Sequence, residues 1–182
     1  PRGSVESIKM EAAGALWVLA EEEANRTSIA SAGALGLLVS LLAEGGAEAH
    51  GRAANALSAI VFEESDNLSQ LAALLVKLLG NGAAEAQQRG VSLLWRLVGE
   101  NPQLEATVAK AGSASDLISL LKLGSPEVEA YALWSLSLSI DAANQSTVLE
   151  EGGAGRLVHL LQHAKALHRT QAAALSAFAS GL

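Results

Sequence analysis

The segment IASAGALGLLVSLL at 29–42 returns as VAKAGSASDLISLL at 108–121 and as VLEEGGAGRLVHLL at 148–161. Each copy opens on a β-branched residue, places a glycine four positions later at Gly33, Gly112 or Gly152, and ends on the phrase Leu-(Val/Ile)-x-Leu-Leu. The last two copies start 40 positions apart and the first two 79 apart, so a further copy belongs between them. It is LAALLVKLL at 71–79, with Leu78-Leu79 in register with Leu41-Leu42 and a shortened front. A chain folded around a single centre has no reason to write one phrase four times. A stack of like units does, because each unit hides its apolar face against the next.

A second phrase follows each copy after a break. Gly45-Gly46, Gly80-Asn81-Gly82 and Gly124-Ser125-Pro126 supply helix-stop and turn chemistry. The last break, around 162–165, lacks Gly and Pro. Beyond the breaks lie RAANALSAIV (52–61), RGVSLLWRLV (89–98), YALWSLSLSI (131–140) and QAAALSAFAS (171–180), and the chain opens with a fifth, EAAGALWVLA (11–20). All carry apolar residues at helical spacing. Asn25, Asn144 and Asn101-Pro102 stand where a short leading helix would begin, as an Asn cap or a first-turn Pro would. Each unit therefore reads as a short helix, a helix and a longer helix.

Composition agrees and excludes much else. Half of the 182 residues are apolar while only 3% are aromatic, and Ala and Leu dominate, which favours helix over sheet. With no cysteine there are no disulfides, thiolate zinc sites or thiol catalysis, which fits a reducing, intracellular setting, cytoplasmic or nuclear. A net charge of −7 does not suit bulk nucleic-acid binding. The apolar runs are short and interrupted, so no membrane span is expected.

The succession NPQLEATVAKAG (101–112), LISLL (117–121) and SPEVEAYALWSLS (125–137) resembles the armadillo repeat, and the likeness extends over the chain from about residue 6. The resemblance implies an all-α, right-handed superhelical solenoid of about four and a half units: a partial one at 5–21, then 22–63, 64–99, 100–140 and 141–182. The ends lack evident polar caps, so a longer array and some self-association through exposed end faces are expected. It also implies a concave groove lined by third helices that takes peptides or partner helices. Members with peptide grooves carry Trp-x-x-x-Asn on that helix. Here the Trp slots hold Gly14, Asn55, Ser92, Trp134 and Ala173, and the Asn slots Val18, Ala59, Arg96, Leu138 and Ala177. Only Trp134 matches, so the ladder that grips a peptide main chain in nuclear-import adaptors is absent.

One turn before the Trp slots stand Glu11, Arg52, Arg89, Tyr131 and Thr170. Helical spacing joins Arg52 with Asn55, Arg89 with Ser92 and Arg96, and Tyr131 with Trp134 in one strip. Three arginines in an acidic chain, with exposed aromatic residues, suit a protein or peptide partner of acidic character. The alternative is that Arg52 and Arg89 pair with Glu48 and Glu85, four residues earlier. Trp17 and Trp95, one residue before the Asn slots, are expected to pack between units. His159 and His163 have metal-ligand spacing, but the repeat equivalents of His159 are Ser40, Lys77 and Ser119, so a solvated face is expected, and His168 adds no further ligand to the pattern. The sequons at Asn25, Asn67 and Asn144 are expected to serve local structure rather than glycans. No phosphate loop or catalytic constellation stands apart from the repeat, so neither an enzyme nor a cofactor is expected. The expected role is a scaffold or adaptor. The alternatives are a rod in a cytoskeletal or axonemal assembly and the substrate-recruiting region of an enzyme such as a U-box ubiquitin ligase.

Overall fold

Alanine- and leucine-rich stretches broken by glycine wind into helices, and no strand occurs among the described residues. The computed structural model describes residues 2–100, 105–123, 126–139 and 147–163. Its helices are α1 (Arg2–Leu19), α2 (Glu23–Ser31), α3 (Ala34–Glu44), α4 (Ala47–Val61), α5 (Ser65–Asn81), α6 (Ala84–Glu100), α7 (Glu105–Ala109), α8 (Ala114–Leu123), α9 (Pro126–Ser139) and α10 (Gly153–His163). The leading Asn101-Pro102, Asn144 and the last third-helix phrase at 171–180 lie outside the described residues.

The helices follow the repeat: α2, α3 and α4 form one unit and α7, α8 and α9 another, while α1 is a third helix without its first two. α4, α6 and α9 each lie on their own second helix and on a third or second helix of the unit before. Leucine pairs fill the seams: Leu41 and Leu42, Leu120 and Leu121 are 8% exposed or less. One apolar cluster runs without interruption from Ala13 to Val148.

The bends differ in kind. Between α2 and α3 the chain turns by 81° at Gly33, whose φ of +86° suits a residue without Cβ. Gly152, at the same place before α10, has φ +78°. At α8 the turn uses a capping box instead: Ser113 Oγ accepts from the Asp116 N–H at 3.1 Å, and the Ser113 N–H donates to Asp116 Oδ2 at 3.1 Å. In the unit with the shortened front there is no bend, and the first and second helices run on as the single helix α5. The helices α3 and α5 stop by one device. The Gly45 N–H donates to the Leu41 carbonyl at 2.9 Å and that of Gly82 to Leu78 at 2.7 Å. A Cβ at either glycine would stand 2.6 Å from the same carbonyl, so only glycine fits.

Candidate binding surface

On a third helix the slots pointing away from the second helix form the candidate strip, and the structure places its members unequally. Arg52 is partly exposed on α4. Its Nη2 donates to Glu48 Oε1 at 3.1 Å, and its Nη1 reaches α1 to meet Glu11 Oε2 at 3.0 Å. The hydrogen bond that Arg52 donates to Glu48, then the charge of Glu11, raise the Arg52 pKa above its ordinary value. Gly14 leaves room for the crossing, since a Cβ there would meet Arg52 Nη1 at 3.0 Å.

Arg89 behaves differently from an open groove cation. Its Nη1 donates to the carbonyls of Leu42 (3.0 Å), Ala43 (3.3 Å) and Gly45 (2.7 Å), while Nη2 pairs with Glu85 at 2.5 Å. It thus closes the C-terminus of α3, where unpaired carbonyls and the helix dipole attract a cation. Arg96 spans from α6 to α4: Nη2 donates to the Ala54 carbonyl at 2.6 Å and Ser58 Oγ at 2.7 Å, and Nη1 to Asn55 Oδ1 at 3.3 Å. With its oxygen held, Asn55 keeps amide N–H groups that have no partner among the described residues. Ser92 of α6 is exposed.

Tyr131 and Trp134 require a correction. They were expected to project into the strip, but they are 0% and 2% exposed. The Tyr131 hydroxyl donates to the Val108 carbonyl on α7 at 3.2 Å. Their rings close with Trp95 into one cluster, with centroids 5.0 Å apart for Trp95–Trp134, 6.0 Å for Trp95–Tyr131 and 5.9 Å for Tyr131–Trp134. Three rings gain more from one another and from burial than from exposure at a rim. Burial pushes the Tyr131 phenol up to about 12. Trp95 therefore packs across the α6–α9 seam as expected, whereas Trp17 is 40% exposed and belongs partly to the surface.

Sequence reasoning missed the polar ties between helix ends. Asn25 is not a helix cap: it lies inside α2, and its Nδ2 donates back to the Leu19 carbonyl at 3.0 Å. Asn67 does the same from α5 to the Ile60 carbonyl at 3.1 Å, and it is buried. Next to Asn25, buried Arg26 donates to the carbonyls of Ala20 (3.0 Å), Phe62 (2.9 Å) and Glu21 (3.5 Å), with its guanidinium 5.3 Å from the Phe62 ring centroid. Arg156 of α10 donates to the Leu121 carbonyl at 2.6 Å and pairs with Glu129 at 2.9 Å. A usable signal existed in the sequence: Arg26 and Arg156 occupy slots that hold Leu68 and Leu74 in the unit with the shortened front.

His159 is exposed, with Nδ1 3.3 Å from Arg156 Nη1. No cluster of three His, Cys, Asp or Glu that could hold a metal occurs among the described residues. The His163 side chain and His168 lie outside them. Among the described residues no single helix is long and apolar enough to cross a membrane, and α2 with α3 reach that length only across their bend.

No protein-family model matches the sequence, and no curated protein matches it. Solved structures do. A designed armadillo repeat protein in complex with the peptide (KR)4 is 27% identical, with a TM-score of 0.53, over 91% of this chain and 73% of that one. The chain folds as an armadillo-repeat array. Computationally designed armadillo repeat proteins for modular peptide recognition match this array at 26% identity and a TM-score of 0.51, over 91% of this chain and 73% of that one. An engineered protein matches at 25% identity and 0.53, over 92% and 71%.

Proposed function

We propose that this armadillo array is a non-enzymatic scaffold or adaptor that binds an extended protein segment along its third helices. The observation that carries this reading is Asn55. Its side-chain oxygen is fixed by Arg96, so its N–H groups are presented in a set orientation. Fixed amide donors on a rigid helix suit the carbonyls of an extended main chain, and little entropy is lost on binding when the donor is already held. The likeness to armadillo proteins designed for peptide recognition supports the same use of the fold.

The acidic character expected of the partner loses its support from Arg52 and Arg89, which already face Glu11, Glu48 and Glu85, and Arg96 is engaged on α4. A cytoplasmic or nuclear location stays part of the proposal, supported by the absence of cysteine. The test is selection of binders from a random 12-residue peptide library, followed by affinity measurements. Asn55→Ala with Ser92→Ala is expected to weaken the selected peptides at least tenfold without changing helicity or thermal unfolding. Peptides that bind the double variant as well as the parent would place the site elsewhere. Arg89 is unsuitable for this test, since removing it exposes the carbonyls at the end of α3.

A further inference from the structure

Two acidic runs, Glu21-Glu22-Glu23 and Glu63-Glu64, are distant in sequence and adjacent in the fold. Arg26 joins them: its Nη2 donates to the Glu21 carbonyl at 3.5 Å and its Nη1 to the Phe62 carbonyl at 2.9 Å. The elbow between α1 and α2 therefore lies against the elbow between α4 and α5. With Asp66 in the first turn of α5, the spans 20–31 and 61–69 carry six carboxylates and one basic residue, Arg26. That arginine is buried and gives its donors to three carbonyls, so neither span supplies the carboxylates with a cationic partner.

An apolar platform stands among them. Phe62 is 52% exposed, with the buried Arg26 guanidinium 5.3 Å from its ring centroid on the inner side. Trp17, one turn before Glu21, is 40% exposed. The helices that flank both rings are in place. Phe62 ends α4, which α1 packs along and Arg96 of α6 reaches. Trp95 holds the slot of Trp17 and packs onto the third helix that follows it, α9, so the helix that Trp17 faces is α4. Beside Phe62, Glu63 keeps a left-handed backbone, φ +59°, at a helix end where glycine fits without strain. The chain retains a carboxylate where a glycine would fold more easily.

The geometry points to a docking edge at these two elbows for a lysine- and arginine-rich segment of a partner protein. A cationic side chain lies over the outer face of the Phe62 ring, where the π cloud attracts it, and Glu21 and Glu63 take its charge. Carboxylates alone would draw any cation. The exposed rings select one carried on an aliphatic stem, because its methylenes cover apolar surface while its head stays wet. A second copy of this chain is a poor occupant: its net charge is −7, and Arg89, Arg96 and Arg156 are committed to carbonyls of neighbouring helices. This edge is separate from the strip around Asn55, so either proposal can fail alone.

The experiment uses the chain as it stands and a fluorescein-labelled peptide of eight alternating lysines and arginines. Fluorescence anisotropy at low salt is expected to show saturable binding that a control peptide, with glutamine in place of every cation, lacks. Glu21→Gln with Glu63→Gln is expected to weaken it at least tenfold, and Phe62→Leu, which keeps an apolar cover over Arg26, at least threefold. Glu11→Gln with Glu48→Gln removes the same charge from the third-helix strip and is expected to change it less than twofold. Glu63→Gly is expected to weaken binding while raising the midpoint of thermal unfolding, which separates a binding role from a structural one. Absence of saturable binding, or affinity unmoved by the edge variants, overturns the proposal. So does a loss as large in the Glu11, Glu48 variant, because the peptide then answers to the strip or to net charge alone.

Discussion

The units built on α2–α3 and on α5 start from the same phrase and solve the same problem differently. In the first, Gly33 turns the chain by 81° between two helices. In the second, three residues fewer and no glycine at the elbow leave one unbroken helix of 17 residues. Both keep the Asn tie to the preceding third helix, Asn25 to Leu19 and Asn67 to Ile60. They part at the next position. The bent unit puts Arg26 there, under two helix ends, and the straight unit puts Leu68, fully buried. The unit of α7, α8 and α9, which also has a separate first helix, ties it down with the Tyr131 hydroxyl on Val108. A short first helix has too few apolar contacts to hold itself in place, so it takes a polar anchor. When it is fused to the second helix, the longer rod carries it and a leucine suffices.

The contrast is best broken at Arg26. Arg26→Leu copies the straight unit into the bent one and strips donors from the Ala20 and Phe62 carbonyls, with an expected loss of about 3 kcal/mol in urea unfolding. A neutral result would mean that the arginine is not the anchor. The Tyr131 anchor can be tested without mutation, since the chain has one tyrosine. Its folded pKa is raised from 10.0 to about 12, so the folded state holds its proton more tightly than the unfolded state. The associated stability is complete below pH 10 and is lost as pH climbs through 12, by an amount on the order of 3 kcal/mol. Absorbance at 295 nm should show only about a tenth of the phenol ionised in the folded protein at pH 11, where the unfolded chain is about nine-tenths ionised. In the straight unit, Asn67→Ala leaves the Ile60 carbonyl without its side-chain donor, an expected cost of about 2 kcal/mol by thermal unfolding. The smallest effects come from the elbow itself. Gly33→Ala forces a side chain into the left-handed region for about 1 kcal/mol, whereas Gln70→Ala within α5 is expected to be neutral within about 0.5 kcal/mol.

Much of the frame was legible because it rests on local chemistry. The leucine pairs, the stopping glycines at 45 and 82 and the shortened front at 71–79 map directly onto seams, helix ends and the fused helix. What the sequence did not disclose were choices made by tertiary partners. Asn25 has the composition of a cap, yet α2 starts at Glu23 and the Leu19 carbonyl claims its amide. Tyr131 shares its slot with Arg52 and Arg89, and helical spacing alone treats the three alike. Only the neighbours separate them: Trp95 and Trp134 enclose the phenol, while the longer arginines reach charged or carbonyl partners across the seam. The pairing of Arg52 with Glu48 and of Arg89 with Glu85 was visible from i, i+4 spacing, but the carbonyls of Leu42, Ala43 and Gly45 were not.

The buried cation beneath α1 and α4 ties two helix ends to one side chain. Neither end can fray without stranding a charge that the other still needs. Arg89 and Arg96 also link later neighbours, α6 to the end of α3 and to the middle of α4, and Arg156 links α10 to α8. In a linear array, such links decide how far a local opening spreads. Here they favour melting of the stack as a block rather than unit by unit from one end.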